Sequence, residues 1–352
     1  MRLSQPADIQ LEDIDRGLMQ QAQARLDQLT KPLGSLGRLE TLAKQIVGIT
    51  HKIAPRLSQK VIITMAADHG VVQEGVSAYP QAVTQQMVFN FLRGGAGINV
   101  LARHVGARVV VVDMGVAGDL SPHPDLVSRK IGYGTQNFTS GPAMTPKQAS
   151  AGIQAGCEIV EQEIAHGVDI IGTGDMGIGN TTASSAITAA MTGAPVEHVT
   201  GRGTGIDDVT HTKKIEVIRR ALTVNRPDAS DPLNVLAKVG GFEIAGLVGV
   251  ILEGARARLP VVVDGFISGA AALIAAGLEP RVKAYLIASH LSQEPGHRMV
   301  LEHLGLQPLL DLNLRLGEGT GAALAMSLAE AACKVLTEMA TFEEAAVSGK
   351  TA

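Results

Sequence analysis

The sequence predicts an α/β fold in which a parallel sheet is flanked by helices. Short β-branched apolar runs recur along the chain, and each is followed by a polar or Gly-rich turn and then by a helical stretch. Near-continuous apolar runs are typical of strands that are buried on both faces, as they are in parallel sheets. The five predicted strands are VIITMA (61–66), ARVVVVD (107–113), VDIIGTG (168–174), LPVVVDG (259–265) and KAYLIAS (283–289).

Helical patterns lie at both ends of the chain. Residues 12–52 are predicted to form two helices, separated by the breaker segment TKPLGSLG (30–37). The Ala-rich segment 321–346 is strongly helical in composition. These three helices are candidates for a separate helical lobe beside the sheet.

The composition excludes several classes of protein. The 352 residues include 40 Gly but no Trp, three Tyr and six Phe, so an aromatic platform for single-stranded nucleic acid is not expected. The net charge of −4 leaves no basic footprint for DNA or RNA. No run approaches the ~18 apolar residues of a membrane span, and the N-terminus lacks the apolar stretch of a secretory signal. We therefore expect a cytoplasmic protein with no nucleic-acid or membrane partner.

The spacing of cysteine and histidine predicts no metal site. Cys157 and Cys333 lie on helical patterns and are expected to be buried, inert thiols. His290 and His297 span a loop and a helix start, and no HExxH or CxxC motif is present. No metal ligand set is therefore assigned.

Polar residues follow the predicted strands at their carboxyl ends. In open α/β sheets ligands bind outside the carboxyl ends of the strands, so this edge is the predicted active site. The residues concerned are Asp68-His69-Gly70, Asp113, Gly174-Asp175, Asp264-Gly265 and Ser289-His290.

The segment GTGDMGIGNTT (172–182) contains a literal GxGxxG motif between a strand and a helix. With Glu197 twenty residues past Gly177, it suggests a dinucleotide-binding dehydrogenase. Against that interpretation, the motif follows the third predicted strand rather than the first, and Glu197 lies in a predicted loop. The more general prediction is an anion site, because glycines and hydroxyls at a helix N-terminus present free N–H groups.

Two further Gly-rich turns carry charged residues. GRGTGIDD (201–208) leads into a helix that carries Lys213 and Lys214. Two Gly-rich turns and a lysine suit a single phosphate, although tight turns with Lys213 as a solvated surface residue are the alternative. There is no GxxxxGK[ST] motif, so a P-loop enzyme is not indicated. In RLGEGTG (315–321) the carboxylate of Glu318 stands between two glycines, where it can reach a ligand or simply supply a charge at a helix N-terminus.

The segment 74–89 precedes and enters a predicted helix and mixes apolar with polar side chains. It contains Tyr79, Gln85, Gln86 and Met87, a composition that suits a flat heteroaromatic ligand. Met87 is equally compatible with an ordinary core position.

Taken together, the motifs resemble the nicotinate-nucleotide:dimethylbenzimidazole phosphoribosyltransferase family of cobalamin assembly. The matching segments run in order over almost the whole chain. They are LTKPLGSLGRLE (29–40), AADHGVVQEGVSAYP (66–80), NFLRGGAGINVLAR (90–103), GTGDMGIGNTTASSAI (172–187), GRGTGIDD (201–208), VVVDGFISGAAAL (261–273), ASHLSQEPGH (288–297) and LRLGEGTGAALAM (314–326).

The resemblance implies an activity and an architecture. Such enzymes exchange the nicotinate of nicotinate mononucleotide for 5,6-dimethylbenzimidazole and give α-ribazole 5′-phosphate, with inversion from β to α and without a metal or organic cofactor. They have a Rossmann-like domain and a small helical domain, and they form homodimers. Here the small domain would comprise residues 1–58 plus 325–352, and the catalytic domain residues 59–324.

The resemblance also implies roles for individual residues. Glu318 would be the general base, and Asp175 would lie near the nucleotide, where ribose hydroxyls are candidate partners. Whether Gln85 or Gln86 faces the base is left open, as is the preferred lower-ligand base. The implied nucleotide and phosphate contacts are Gly174, Asp175, Gly177, Asn180, Thr181, Gly203, Thr204, Gly205, Lys213 and Ser289. The implied base contacts are Ser77, Tyr79, Gln85, Gln86, Met87 and Leu316.

Two other functions stay open at the level of the sequence. A dehydrogenase would bind a dinucleotide, and a non-catalytic sensor of the same fold would bind nicotinate mononucleotide without releasing nicotinate.

Overall fold

A six-stranded, wholly parallel sheet forms the centre of the molecule in the computed structural model, which describes residues 10–349. The strands lie in the order β3-β2-β1-β4-β5-β6. They are β1 (Lys60–Ala67), β2 (Ala107–Gly115), β3 (Leu126–Ser128), β4 (Ile170–Met176), β5 (Val261–Val263) and β6 (Leu286–Ala288). This order is that of a Rossmann-type doubly wound sheet. The predicted α/β class with a parallel sheet is confirmed.

All five predicted strands are present, and one additional strand was not predicted. β3 pairs with β2 at the sheet edge over three residues, Leu126–Ser128. A run this short leaves no periodic pattern in the sequence. The pairing itself is a tertiary contact, because it depends on where the loop after β2 returns to the sheet.

Thirteen α-helices surround the sheet within residues 10–349. The bounds are α1 (Arg16–Gln28), α2 (Arg38–Thr50), α3 (Ala82–Leu92), α4 (Gly97–Val105), α5 (Pro146–His166), α6 (Asn180–Thr192), α7 (Val196–Val199), α8 (Asp208–Asn225), α9 (Pro232–Val239), α10 (Phe242–Arg256), α11 (Phe266–Leu278), α12 (Pro295–Leu304) and α13 (Thr320–Glu338). In this part of the chain no helix has the length and apolarity required to cross a membrane.

The C-terminal helix ends eight residues before its predicted end. α13 stops at Glu338, where Met339 adopts an extended conformation. Thr341 then forms an antiparallel bridge with Leu29, and Thr30 donates to the carbonyl of Ala340. The local sequence at residues 339–341 favours a helix, but pairing with the end of α1 ends the helix before these residues.

The two faces of the sheet belong to different hydrophobic clusters. One cluster joins Ile63 and Met65 of β1 to α5, α10 and α11. The other joins Ile62 and Ala66 of the same strand to α1, α2 and α13. The alternation of neighbouring β1 residues between two apolar layers explains why this strand is apolar throughout. The two cysteines are buried, one in each cluster, and burial raises both thiol pKa values to about 12.

The helices predicted to form a small domain do pack on one another. α1 contacts α2, and α2 contacts α13. Their side chains share a cluster with one face of the sheet, so the division into 1–58 plus 325–352 and 59–324 stays a prediction. Residues 1–9 and 350–352 of that division lie outside the described residues.

Candidate active site

A cleft of about 310 Å³ opens at the carboxyl edge of the sheet. Strand order reverses between the central strands β1 and β4, and this switch point is where open α/β sheets bind ligands. The cleft is lined by residues from six segments, lying within 76–79, 175–181, 203–204, 265–267, 290–294 and 315–317. The predicted location of the site therefore coincides with a cleft in the structure.

One end of the cleft has the features of an anion site. The turn Gly177–Gly179 leads from β4 into α6, with Gly179 as N-cap at a φ of 95° and no capping side chain. A side chain at Gly177 would collide with the carbonyl oxygen of Ala67. The glycines thus allow the backbone to pass close to β1 and leave the start of α6 open to a ligand, with Asn180 and Thr181 beside it.

A buried lysine faces this end, but it is Lys214 rather than the predicted Lys213. The ammonium group of Lys214 donates to Thr181 Oγ1 at 2.8 Å, and a Cβ on Gly203 would lie 3.3 Å from it. Burial lowers the pKa of Lys214 to about 8, and the carboxylate of Glu294 opposes that shift. Lys213 is exposed on the solvent side of α8. Neither lysine lines the cleft itself, but Lys214 contacts Thr181, which does.

Glu294 places a carboxylate among these anion-binding groups. Its Oε1 accepts the backbone N–H of Gly203 at 2.8 Å, and its Oε2 is buried without a hydrogen-bond partner in the described chain. A side chain on Gly201 would collide with this carboxylate, so the Gly-rich turn packs directly against Glu294. Glu294 lies in the segment 288–297, where no pattern in the sequence distinguishes it as a site residue.

Asp175 lies between the two ends of the cleft. It lies near the carboxyl end of β4, and its Oδ2 accepts from Asn180 Nδ2 at 2.9 Å, whereas Oδ1 is buried with no partner among residues 10–349. A Cβ on Gly317 would lie 3.1 Å from Oδ1. Burial, reinforced by repulsion from Asp264, raises the pKa of Asp175 well above its usual range. Asp175 lines the cleft, and its role near a nucleotide stays a prediction.

At the other end, Glu318 is held in an unusual backbone conformation. Gly317, Glu318 and Gly319 all have positive φ, at 79°, 66° and 98°. The carbonyl oxygen of Glu318 accepts from Thr64 Oγ1 at 3.0 Å, and a side chain on Gly174 would collide with that oxygen. A non-glycine residue in the left-handed region is held there by its surroundings.

The carboxylate of Glu318 meets the first turn of α4. Its Oε2 accepts the N–H of Ile98 at 3.0 Å, and the side chain of Leu316 lies beside it, since both would contact a Cβ on Gly97. Glu318 is 4% exposed, directly behind the cleft-lining Leu316 and Gly317. Burial raises the pKa of Glu318, and the hydrogen bond from Ile98 opposes that shift.

Asp264 fixes the turn that carries Glu318. Its carboxylate accepts from Ala322 N at 2.9 Å and from Gly319 N at 3.2 Å, at the N-terminus of α13. Burial raises its pKa to about 7. Asp264 is at the predicted active-site edge of the sheet, but the sequence indicates no role for it, because its partners lie more than fifty residues away along the chain.

The predicted base-binding residues fall into two groups. Ser77, Tyr79 and Leu316 line the cleft, and Ser77 Oγ lies 3.3 Å from Thr204 Oγ1. Three others, Gln85, Gln86 and Met87, lie on α3 and are not part of the cleft lining. Gln85 donates to the carbonyl of Asp119, Gln86 is exposed, and Met87 packs against the core. Their base-binding role stays a prediction.

The predicted nucleotide contacts also divide. Asp175, Gly177, Asn180, Thr181, Gly203 and Thr204 line the cleft. Gly174 lies beneath Glu318, Gly205 lies beyond the lining with a φ of 99°, and Ser289 is buried with its hydroxyl donating to the carbonyl of Asp264. The structure adds His290, Ser292, Glu294 and Arg315 to the lining, from two of the segments that carry the family resemblance. Within residues 10–349 no cluster of three potential metal ligands is present.

Comparison with known proteins gives a consistent result. The profile of a family described as "Phosphoribosyltransferase" matches residues 11–347. A nicotinate-nucleotide–dimethylbenzimidazole phosphoribosyltransferase from Desulforudis audaxviator is 61% identical over 95% of this chain and 95% of its own length. One from a Roseiflexus species is 63% identical over 94% of this chain and 93% of its own length.

The fold comparison agrees with the sequence comparison. The crystal structure of a nicotinate-nucleotide–dimethylbenzimidazole phosphoribosyltransferase from Thermus thermophilus superposes with a TM-score of 0.91 at 49% identity, covering 96% of this chain and all of that one. Identity at this level over nearly the full length exceeds what a shared fold alone produces. The chain belongs to the nicotinate-nucleotide–dimethylbenzimidazole phosphoribosyltransferase family.

Proposed function

We infer that the chain transfers the 5-phosphoribosyl group of nicotinate mononucleotide to 5,6-dimethylbenzimidazole, giving α-ribazole 5′-phosphate and nicotinate in the nucleotide-loop branch of cobalamin biosynthesis. The observation that carries this inference is 61–63% identity to relatives named for that activity over 94–95% of the chain. The chemistry of the two cleft ends supports it.

The orientation of the nucleotide follows from charge. We propose that the 5′-phosphate binds at the end lined by Gly177 and Thr181, with the ammonium group of Lys214 directly behind Thr181, because a helix N-terminus and a buried cation stabilise an anion. The anomeric carbon then points toward Leu316 and Glu318. We propose that Lys214, and not Lys213, supplies the phosphate-binding ammonium group.

Glu318 accounts for the proton that the reaction must move. One ring nitrogen of dimethylbenzimidazole attacks C1′ while the bond from C1′ to the nicotinate nitrogen breaks. Nicotinate leaves with the electron pair of that bond, so its pyridinium nitrogen becomes neutral and needs no general acid. The attacking benzimidazole gains positive charge, and we propose that Glu318 accepts the proton from its second nitrogen.

The alternative dinucleotide function requires an acidic residue that binds the ribose, and the position of Glu197 does not support that role. Glu197 lies in the four-residue helix α7 and forms an ion pair with Arg219 on the surface. A ribose-binding acid in a dinucleotide fold instead lies near the end of the second strand of the unit. The Gly-rich segment 172–182 supports a mononucleotide phosphate site better than a pyrophosphate site.

The assembly and location of the protein are further proposals. We propose that two chains form a homodimer, that the chain divides into the two domains given above, and that the enzyme works in the cytoplasm. The support for all three is the family resemblance. Light scattering on a sizing column tests the dimer, and a monomer at micromolar concentration would contradict it.

Nicotinate release is the direct test of the activity. Purified protein is incubated with nicotinate mononucleotide, with and without dimethylbenzimidazole, and the products are separated by chromatography with mass detection. Release that depends on the base, with a product of the mass of α-ribazole phosphate, supports the transferase. Binding of the nucleotide with no release would instead support the sensor, and binding of NAD alone would support the dehydrogenase.

A further inference from the structure

A histidine that has no assigned ligand contact has a defined hydrogen-bonding arrangement at the cleft wall. His290 follows β6, is 2% exposed, and contributes to the lining. Its Nδ1 lies 2.9 Å from Ser289 Oγ, which in turn donates to the carbonyl oxygen of Asp264 at 2.7 Å. Neither residue has a role in the proton transfer described above.

These contacts fix the tautomer of the ring. A carbonyl oxygen can only accept, so the single hydroxyl proton of Ser289 is committed to Asp264. Ser289 Oγ must therefore accept from His290, which places the ring proton on Nδ1 and leaves a lone pair on Nε2. Burial lowers the pKa of His290 to about 4, so the ring is neutral throughout the physiological range.

The lone pair on Nε2 is available to a ligand. Within residues 10–349 no group donates a hydrogen bond to this atom, and the Cε1–Nε2 edge faces Gly265, which also lines the cleft. A Cβ on Gly265 would lie 3.4–3.5 Å from that edge, so the glycine leaves it open. On the opposite edge, Gly321 approaches Nδ1 so closely that any side chain there would collide with the ring.

His290 lies between the two ends of the cleft. Through Asp264 its hydrogen-bond chain reaches the turn that holds Glu318. Along the chain it is followed by Ser292 and Glu294, which border the anion end. In a nucleotide the ribose occupies this middle position, between the 5′-phosphate and the base.

We propose that His290 Nε2 accepts a hydrogen bond from a ribose hydroxyl of the nucleotide, and thereby selects ribonucleotide over deoxyribonucleotide substrates. This inference rests on the proposed function, because it needs nicotinate mononucleotide in the cleft. A pure acceptor is complementary to a hydroxyl donor and offers nothing to a C–H group in its place. Sites built to hydrogen-bond a substrate hydroxyl reject analogues that lack it.

The test compares nicotinate mononucleotide with its 2′-deoxy and 3′-deoxy analogues, using kcat/KM for nicotinate release. Wild-type enzyme is expected to lose about 10- to 100-fold with the analogue that lacks the bonded hydroxyl. His290→Asn keeps a donor to Ser289 at the position of Nδ1 but has no atom at Nε2. It should lose a similar factor with nicotinate mononucleotide and show no further loss with that analogue. His290→Gln, whose amide oxygen extends further, should recover part of the discrimination.

The ratio of ribo to deoxy rates separates a contact from a structural role, because a loosened cleft lowers both rates together. Unchanged wild-type discrimination in His290→Asn would overturn the proposal. If both variants fail to fold, ¹⁵N spectra of histidine-labelled wild-type enzyme decide. The Nε2 resonance of His290 should shift with nicotinate mononucleotide but not with one deoxy analogue, and no difference would overturn the contact. A wild-type enzyme that releases no nicotinate would instead refute the proposed function.

Discussion

The carboxylate of Glu318 accepts the backbone N–H of Ile98 at 3.0 Å, which joins the turn before α13 to the first turn of α4. The same residue is held at its other end, because its carbonyl accepts from Thr64 Oγ1 on β1. One carboxylate oxygen is therefore fixed by a helix N-terminus, and the side chain cannot rotate freely. Such restraint is what a proton acceptor needs if it is to be in place before substrate arrives.

Replacing Glu318 by Gln tests the general base. The variant keeps the shape of the side chain and an oxygen for Ile98 N, but it removes the basic carboxylate. We expect kcat to fall by about 10²- to 10⁴-fold while the KM for nicotinate mononucleotide changes little. Steady-state kinetics with circular dichroism as a folding control measures this, and a kcat like that of wild type would remove Glu318 from the mechanism.

The pH profile gives a second test of the same residue. Burial raises the pKa of Glu318 above its ordinary value of 4.5, and only the ionised form accepts a proton. We therefore expect the kcat of wild type to fall on the acid side, with a midpoint above 4.5. Residual turnover of Glu318→Gln should lack this limb. An acid limb identical in the two enzymes would assign it to another group.

Two adjacent lysines offer a matched pair for the phosphate site. Lys214 is buried against Thr181, whereas Lys213 is exposed. Lys214→Met should raise the KM for nicotinate mononucleotide about 10- to 100-fold, because a charge-assisted hydrogen bond is lost. Lys213→Met should change it less than about threefold, as surface charges contribute little. Equal effects of the two substitutions would contradict the assignment.

The difference between Lys213 and Lys214 has a detectable signal in the sequence. The buried face of α8 includes Lys214, Val217, Ile218 and Ala221. This is the spacing of one helical stripe, so the apolar residues already placed position 214 inward and position 213 outward. The helical periodicity distinguishes the buried lysine from the exposed one, whereas proximity to the Gly-rich turn does not.

Other parts of the site could not be read from the sequence. The five predicted strands and the glycine-flanked Glu318 depend on local patterns, and the structure contains them. The role of Asp264 depends instead on its hydrogen bonds to α13. The role of His290 depends on Ser289, which links it to the carbonyl of Asp264. Only the folded chain brings Asp264 close to these partners. Because Asp264 accepts hydrogen bonds from backbone N–H groups, no particular residue type marks its partners in the sequence.

Asp264 should make the stability of the protein depend on pH. Burial raises its folded-state pKa from the ordinary 3.8 to about 7, so the folded chain binds this proton more tightly than the unfolded chain does. That contribution is fully present below about pH 4 and is lost as pH rises through about 7. In Asp264→Asn it is absent. The stability of wild type relative to the variant should therefore decrease by on the order of a few kcal/mol between about pH 4 and pH 8.

Urea unfolding of both proteins across this range measures the difference. Asp207→Asn is the matched control, since Asp207 caps α8 at the surface and its pKa is lowered by its hydrogen bonds to Thr210. Between about pH 5 and pH 8 the control should show a constant offset from wild type. A constant offset for Asp264→Asn as well would mean that Asp264 does not titrate in this window.

The close approach of β4 to the Glu318 turn gives the last prediction. A Cβ on Gly174 would collide with the carbonyl oxygen of Glu318 and lie 2.8 Å from Thr64 Oγ1. Gly174→Ala should lower the free energy of unfolding by about 1–3 kcal/mol and reduce kcat more than it raises KM, because the turn must move. Gly141→Ala, which meets nothing within 4 Å, should change stability by less than about 0.5 kcal/mol. Urea unfolding and kinetics on the pair measure this. Equal free energies of unfolding for the two variants would show that the turn can move without loss of stability.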